Sequence, residues 1–491
     1  MRARIAHLPA RLGTPLAIAA GAVVLRAIAG VGFANYDTLY ALTWGGQLAR
    51  GETPQYGIPI APTPHPLVEV LGLILSPLSP RTIEHVTVAL GFLALSACGW
   101  VVYRLGALWF GRAAGALAAL ILLTRVPVLS YGVRAYVDIP YLLLVLSALL
   151  VDRSQIGQRR HRSGIDGIPD RPAGAPVLVL LALAGLLRPE AWVFSGLYWA
   201  YLAFASARER KELALLALLA AAAPLVWLLS DLAITGDVLW SLTNTRHTAE
   251  TLDRITGIAN VPQYIPRRIG EILRPPVLAG AALGGVLSLW WLPRRARVGA
   301  VAGVVSVVVF AAFATAGLPI DTRYAFLAAA ILCVFCGAGA FGWTRLARED
   351  PRRRWWMAGG ALVLVALVAY IPSQYHTAHH ELDALARQQS IQNDLLALVS
   401  EGALTRSCEP VGVPNHAPIP LLALYLETSP RNVVSAEAGP ISSGSYVDPA
   451  SREVEENYIL DTHDPHLPVT VPPGFVETHA NRSWFVFAHC P

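Results

Sequence analysis

Residues 14–54 read TPLAIAAGAVVLRAIAGVGFANYDTLYALTWGGQLARGETP, and this stretch decides the fold class. Apart from Arg26, its first half is an apolar run of about 20 residues, which is the length that a helix needs to cross a bilayer. The second half carries Asp37, has the spacing of a helix and suits a helix that lies on the membrane surface. The stretch therefore predicts a spanning helix followed by a surface helix.

The composition extends this interpretation to the whole chain of 491 residues. Hydrophobic residues make up 54% and charged residues 14%, whereas a soluble protein has about 25% charged residues. Mean hydropathy is +0.49. The apolar runs are spread over the first three-quarters of the chain, so a single anchor does not account for them. The composition is that of a multi-pass membrane protein.

The apolar runs predict about eleven spans, several of them shorter than the roughly 20 residues of a perpendicular helix. The predicted spans lie near residues 14–33, 83–103, 112–130, 138–151, 175–187, 190–206, 212–230, 277–293, 298–317, 324–343 and 356–373. The expected fold class is an all-α polytopic membrane bundle with juxtamembrane helices at the outer face.

The basic residues set the expected orientation. With the N-terminus inside, the cytoplasmic segments hold 21 Lys and Arg and the outer loops hold 11, the C-terminal tail excluded. Because cytoplasmic loops carry the excess of positive charge, this count predicts the N-terminus inside and the C-terminus outside. Topology thus accounts for the net charge of +5, and nucleic acid is not an expected partner.

The last part of the chain, residues 374–491, has no spanning run and is richer in Pro, Ser, His and acidic residues. We therefore divide the chain into a multispan transmembrane domain, 1–373, and a soluble extracytoplasmic domain, 374–491. Helical and strand patterns predict a small α/β unit. The predicted helices lie at 379–402 and 417–427, and the predicted strands at 432–436 and 484–490.

The cysteines form two groups. Cys408 and Cys490 lie in the tail, and a disulfide between them would join its ends in an oxidising compartment. Cys333 and Cys336 have the spacing of a redox or metal motif, but they lie in an apolar run with no His or second Cys pair nearby. We interpret this second pair as packing residues.

At least four separate outer segments carry acids and arginines. They hold Asp37 and Pro64-His65-Pro66-Leu67; Arg134, Tyr136 and Asp138; Arg188 and Glu190; Asp231, Asp237, Arg246, Arg254, Arg267 and Arg268; and Asp321, Arg323 and Tyr324. Each has a structural explanation, such as a helix N-cap or an arginine that snorkels. Together they indicate an anionic ligand, because arginine makes bidentate contacts to phosphate. Arg26, within the first span, either serves function or pairs with a neighbouring helix.

The order of these segments resembles the GT-C superfamily of integral-membrane glycosyltransferases, especially its protein mannosyltransferase-like and lipid A aminoarabinose transferase-like branch. The resemblance covers about residues 14–375. It rests on Asp37 in NYDTLYALTWGGQLARGETP, the following PHPL, Asp138 in RAYVDIPYLLL, LLRPEAW, and Arg323-Tyr324. Two elements depart from the pattern, since PHPL replaces a PPL-type element and RPE replaces a Thr-Lys step. These departures leave the substrate open.

The resemblance implies an inverting transfer of a sugar from a polyprenyl-phosphate donor to a hydroxyl of a glycan, lipid or protein. It also implies a multi-pass protein of a plasma membrane, and we expect this membrane to be bacterial. A phosphate leaving group departs as an anion and needs positive charge more than a general acid. The candidates to supply that charge are Arg134, Arg188, Arg246 and Arg323.

The remaining roles follow from the same reaction. The acceptor hydroxyl needs one carboxylate as a base, and Asp37 is the expected base. Asp138 either orients the acceptor or helps to hold a divalent cation, Mg²⁺ or Mn²⁺; no other cofactor is expected, and no strong metal-ligand spacing is visible. The expected substrate-binding residues are Tyr36, His65, Glu190 and Tyr324.

Other functions stay open at this point. A transporter or lipid flippase would more often show two similar halves and broken helices near the membrane centre, whereas polarity here gathers at the outer rim. An O-antigen ligase-like or polymerase-like enzyme would carry its signature in a late loop. A non-catalytic membrane scaffold with an exported binding domain is the third alternative.

Overall fold

The computed structural model describes residues 8–163, 174–205, 208–459 and 471–490. Helices build most of it. Their bounds are α1 Leu8–Ala29, α2 Tyr36–Ala49, α3 Pro66–Leu75, α4 Pro80–Phe110, α5 Arg112–Leu123, α6 Val126–Val133, α7 Asp138–Ser163, α8 Ala175–Gly185, α9 Glu190–Ala205, α10 Arg210–Thr235, α11 Trp240–Thr251, α12 Val261–Trp291, α13 Pro293–Thr315, α14 Phe326–Phe341, α15 Pro351–Ala369, α16 Ile371–Ser400, α17 Ile419–Tyr425 and α18 Arg452–Val454.

The predicted helical membrane bundle is confirmed. Each predicted span coincides with a described helix or with two consecutive ones. Of these helices, five are long and apolar enough to cross a membrane, and up to seven crossings result if the bent pairs α5/α6 and α15/α16 each count as one. Helices such as α8, with 11 residues, are shorter than a crossing requires. The number of eleven and the orientation stay predictions.

Helix α14 forms the centre of the bundle and packs against α5, α12 and α13. Its residues are mostly small, and nearly all of its side chains are buried. Gly284 of α12 lies so close to α14 that an added Cβ would overlap the carbonyl oxygen of Phe335. Cys333 and Cys336 are buried and free within α14, as a packing role requires.

The C-terminal unit contains a five-stranded sheet with strand order β2-β1-β3-β5-β4. The strands are β1 Val411–Val413, β2 Val433–Ser435, β3 Gly444–Pro449, β4 Val476–Ala480 and β5 Trp484–His489. Strand β1 pairs in parallel with β2 and β3, and β5 pairs antiparallel with β3 and β4. The sheet is therefore mixed, with its parallel part beside α17.

The predicted elements of the tail are present. The structure has helices α16 and α17 and strands β2 and β5 at the predicted places. The sequence analysis did not predict β1, β3 and β4; of these, β1 is only three residues long and β4 is mostly exposed. Cys408 is paired with Cys490 in a disulfide, with Cα atoms 5.5 Å apart.

The C-terminal unit shares its hydrophobic core with the first outer loop. Tyr40 and Trp44 of α2 belong to one buried cluster with Leu395 of α16 and Val411 of β1. Helix α16 begins at Ile371 and so runs through the predicted domain boundary at residue 374. Helix α2, predicted to lie on the membrane surface, therefore packs between the bundle and the C-terminal unit.

The contact between α12 and α14 gives a test with a matched control. We expect Gly284→Ala to destabilise the protein by about 1–3 kcal/mol, the usual cost of overpacking a filled core. Gly285→Ala changes the next residue of the same helix, where an added Cβ would meet nothing within 4 Å. Thermal unfolding of both variants in detergent measures the difference, and equal midpoints would contradict the packing.

Candidate functional site

Hydrogen bonds between two outer segments position the site. The backbone N–H of Asn35 donates to the carbonyl of Arg134 at 3.0 Å, and the hydroxyl of Thr38 donates to the carbonyl of Ala135 at 2.9 Å. Ala135 has a φ of 49°, an uncommon conformation for a residue with a side chain. The start of α2 is thus fixed to the turn between α6 and α7.

Asp37 lies in the first turn of α2, but it does not cap the helix. The N-cap is Asn35, whose side-chain oxygen accepts from the N–H of Thr38 at 2.9 Å. This leaves the carboxylate of Asp37 free to accept from Nη1 of Arg323 at 2.9 Å. Burial alone would raise the pKa of Asp37, but the cationic Arg323 beside it holds that pKa below its usual range. Asp37 is therefore a carboxylate at neutral pH.

A second charge cluster surrounds Arg188. Its guanidinium forms ion pairs with Asp138 and with Glu190, the latter at 2.6 Å. All three side chains are buried. The same guanidinium lies over the ring of Tyr324, 4.3 Å from the ring centre, and the guanidinium of Arg323 lies 5.7 Å from that centre. The ring of Tyr324 therefore joins the two clusters.

A cavity of about 970 Å³ opens beside these clusters. Its lining combines residues from the outer loops, the bundle and the C-terminal unit. The charged residues that line it are Asp37, Arg134, Arg188, Glu190, Asp231, Arg254, Arg268, Asp321 and Arg323. Tyr36, His65 and Tyr324 line it as well. Most of the residues predicted for the site thus converge on one cavity.

Two predicted residues do not line this cavity. Asp138 lies behind Arg188 as its buried partner. Arg246 is largely exposed, and its Nε donates to the carbonyl of Ala316 at 2.6 Å. Arg26 also lies elsewhere, near the end of α1 and 6.0 Å from the ring centre of Phe92. Asp138 therefore orients Arg188 and does not line the cavity. Arg246 lies outside the lining of the cavity as well.

Arg134 is the best available cation for an anionic ligand. Its guanidinium lies 4.9 Å from the ring centre of Tyr136 and 5.3 Å from that of Tyr131, and Nη2 donates to the hydroxyl of Ser130 at 2.9 Å. In the part of the chain that the structure describes, no carboxylate pairs with it. Its positive charge therefore faces the cavity uncompensated.

His65 and Tyr36 are fixed by backbone carbonyls. Nδ1 of His65 lies 2.8 Å from the carbonyl of Leu187 and therefore donates to it, and burial lowers the pKa of His65 to about 4. The ring is thus neutral at physiological pH. The hydroxyl of Tyr36 donates to the carbonyl of Ile60 at 3.1 Å. Ile60 has a φ of 62°, which costs energy for a β-branched residue.

The sequence alone did not single out several residues of the lining. Arg254 pairs with Asp321 at 3.7 Å. In the sequence, only their position among the charged residues of the predicted outer loops pointed to the site. His416 comes from the C-terminal unit. No sequence pattern marks His416, because its place depends on how that unit packs on α2.

The acids of the site do not form a metal-binding cluster. No group of three or more His, Cys, Asp and Glu side chains suited to a metal lies among the described residues. Asp37, Asp138 and Glu190 each pair with an arginine, whereas Mg²⁺ and Mn²⁺ prefer uncommitted oxygen ligands. The residues present therefore do not fit a divalent cation, and we derive no step through one.

The cluster around Arg188 predicts a large loss of stability when its cation is removed. Arg188→Gln would leave Asp138 and Glu190 buried without a counter-charge, a situation that typically costs about 3–5 kcal/mol. Arg246→Gln removes an exposed arginine and should cost less than about 1 kcal/mol. Urea unfolding of both variants in detergent compares them. Equal stabilities would show that Arg188 does not neutralise the two carboxylates.

Comparison with known proteins identifies the fold. No family model and no curated protein sequence matches the chain. The crystal structure of ArnT from Cupriavidus metallidurans bound to undecaprenyl phosphate superposes with a TM-score of 0.56 at 14% identity, over 97% of this chain and 98% of that one. The archaeal oligosaccharyltransferase AglB from Archaeoglobus fulgidus, in complex with an inhibitory peptide and a dolichol-phosphate, gives a TM-score of 0.43 at 13% identity, over 81% of this chain and 60% of that chain. The chain therefore has the fold of ArnT, a member of the GT-C superfamily that the sequence resembles.

Proposed function

We propose that the protein is an inverting glycosyltransferase that moves a sugar from a polyprenyl-phosphate donor to a hydroxyl acceptor at the outer face of a bacterial plasma membrane. The observation that carries the proposal is the ion pair of Asp37 and Arg323 on the wall of the large cavity. It puts one carboxylate and one guanidinium cation within 3 Å of each other. A single inverting displacement on a phosphate-activated sugar needs these two groups.

The cavity suits a lipid-phosphate donor in size and charge. Its volume of about 970 Å³ lies at the upper end of the usual range for ligand sites, which is about 300–1,000 Å³. Five arginines and four acids line it, and Arg134 lacks an acidic partner among the described residues. The fold neighbour ArnT was crystallised with undecaprenyl phosphate, a ligand of the class that we propose here.

The resting ion pair links donor binding to base strength. A donor phosphate that contacts Arg323 shares the cation that otherwise stabilises the charged form of Asp37. Burial then dominates the environment of Asp37, and its affinity for a proton rises. The carboxylate becomes an effective base once the donor is bound.

The atoms of the reaction balance without a further reactant. The acceptor oxygen forms a bond to the anomeric carbon, and the bond from that carbon to the phosphate oxygen breaks. The electron pair of the broken bond stays on the phosphate, where Arg134 and Arg323 stabilise it. The hydroxyl proton passes to Asp37. Asp321 and the ring of Tyr324 hold Arg323 in position.

The first test of this function is sugar transfer itself. We expect the purified protein to move label from one of a panel of radiolabelled polyprenyl-phosphate sugars to a hydroxyl acceptor. Asp37→Asn should lower kcat by about 10²–10⁴, the usual contribution of a general base. The control is Asp253→Asn, which changes an exposed aspartate outside the cavity and should retain full activity.

Two results would count against the proposal. If no label leaves any lipid donor, the protein is not a transferase of this class. If label moves and Asp37→Asn keeps wild-type activity, the transfer stands and Asp37 is not the base.

The Asp37–Arg323 pair also predicts a pH effect. The pKa of Asp37 lies below its usual range in the free protein, so kcat/KM should stay level from neutral pH down to about pH 4. In Arg323→Gln the burial remains and the cation is gone. The acidic limb of kcat/KM should then move up by about one pH unit or more.

The matched control for the pH profile is Arg267→Gln, which removes an exposed arginine paired with Glu271. Its acidic limb should coincide with that of the wild type. An unchanged limb in Arg323→Gln would mean that the arginine does not set the protonation of the catalytic base.

A further inference from the structure

The C-terminal unit forms one wall of the cavity, and this wall differs chemically from the opposite one. It contributes Gln388 and Gln392 from α16, His416 from the segment before α17, and Asn457 and Tyr458 from the turn after α18. Among the described residues, this unit contributes no carboxylate and no guanidinium to the lining. The membrane-side wall, in contrast, carries the arginines.

His416 is held in one orientation by Glu437. The backbone N–H of His416 donates to the carboxylate of Glu437 at 2.9 Å, and Nδ1 of the ring lies 3.1 Å from the same oxygen. The hydroxyl of Ser435 donates to that carboxylate as well, at 2.9 Å. Because a carboxylate only accepts hydrogen bonds, Nδ1 of His416 carries the proton and donates it.

With Nδ1 committed to Glu437, Nε2 is the ring nitrogen of His416 that is left for a ligand. In a neutral imidazole with the proton on Nδ1, Nε2 accepts a hydrogen bond. In the described ranges of the chain, Nε2 has no partner. The ring of His416 contacts the ring of Tyr36 edge to face, with centres 5.4 Å apart, and Tyr36 directly precedes Asp37. Nε2 therefore belongs to a ring that contacts Tyr36 and lines the same cavity as Asp37.

We propose that this wall is the acceptor subsite, that its ligand is a neutral glycan, and that Nε2 of His416 accepts a hydrogen bond from one glycan hydroxyl while Asp37 takes the proton of another. The proposal rests on the proposed function. Side-chain amides, an imidazole and a phenol match the donors and acceptors of sugar hydroxyls. An anionic acceptor would require guanidinium groups on this wall.

The reaction keeps the balance given above. The acceptor hydroxyl that attacks the anomeric carbon loses its proton to Asp37, and the neighbouring hydroxyl stays protonated and donates to His416. His416 binds the acceptor and takes no proton from it. Two hydroxyls on one acceptor are needed, and a sugar ring supplies them.

Steady-state kinetics with mannotriose as the acceptor test this assignment. We expect His416→Ala to raise the acceptor KM by about tenfold or more, since it removes a buried hydrogen bond, and to leave the donor KM within about twofold. His416→Gln places an amide oxygen near the position of Nε2 and should restore much of the loss. Glu437→Gln should raise the acceptor KM less than His416→Ala does, because the ring remains.

The matched control is His479→Ala, because His479 also pairs with a carboxylate of the C-terminal unit, Glu401, at 3.2 Å but lies outside the cavity lining. It should keep both KM values. An unchanged acceptor KM in His416→Ala would overturn the proposal while the transferase function stands. The same holds if only a trisaccharide of uronic acids or a serine peptide accepts the sugar.

A binding measurement separates this inference from the proposed function. If no lipid donor gives up its sugar, radiolabelled mannotriose is titrated onto the purified protein and onto His416→Ala. Binding to the wild type that falls about tenfold in the variant supports the subsite independently of transfer. Equal binding, or no binding to either, overturns it.

Discussion

The ion pair between Asp37 and Arg323 is the constraint on which the site depends. Its partners are 286 residues apart in the chain, one in the first turn of α2 and the other at the entrance to α14. Either charge would be costly to leave unpaired in this largely buried place. The pair therefore holds the first outer helix against the central helix of the bundle. An anionic ligand that contacts Arg323 shares this cation with Asp37, and a hydroxyl that donates a hydrogen bond to Asp37 then compensates the carboxylate.

The second charge cluster, around Arg188, connects further helices of the bundle to the same site. Arg188 neutralises part of the charge of Asp138 and Glu190, and the ring face of Tyr324 lies against two guanidiniums, an arrangement that favours cations. These residues come from α7, α9, the segment before α9 and the entrance to α14. The charges consequently meet only when the helices are packed, and the small residues of α14 permit that packing. The geometry of the candidate site and the packing of the bundle thus rest on the same contacts.

The sequence predicted the parts of the site that follow from local chemistry. Asp37 and Arg323 stand at the ends of apolar runs. Each alone has a structural explanation, but together with the other charges they indicate a ligand, and both line the cavity. The sequence could not show which of Arg246 and Arg254 lines the cavity, since both lie in one polar segment. Only the folded path of that segment brings Arg254 next to Asp321. The sequence did not fix the number of spans either, because α8 and α9 are apolar but shorter than a membrane crossing requires. His416 lacked any signal, since its neighbours are set by long-range packing.

The shared core of α2 and the C-terminal unit has a consequence for how the two parts work. Tyr40 and Trp44 of α2 are fully buried against that unit, and the carboxylate of Glu84 accepts hydrogen bonds from the N–H of Ala34 and the hydroxyl of Tyr425. Removing the unit would expose these aromatic rings and leave α2, which carries Asp37, without the core that covers one of its sides. Truncation at residue 374 would therefore abolish transfer even if the unit bound no substrate. Single substitutions at the cavity wall leave the packing of α2 intact. They can therefore distinguish substrate binding by the C-terminal unit from the structural role of this unit in holding the helix that carries Asp37.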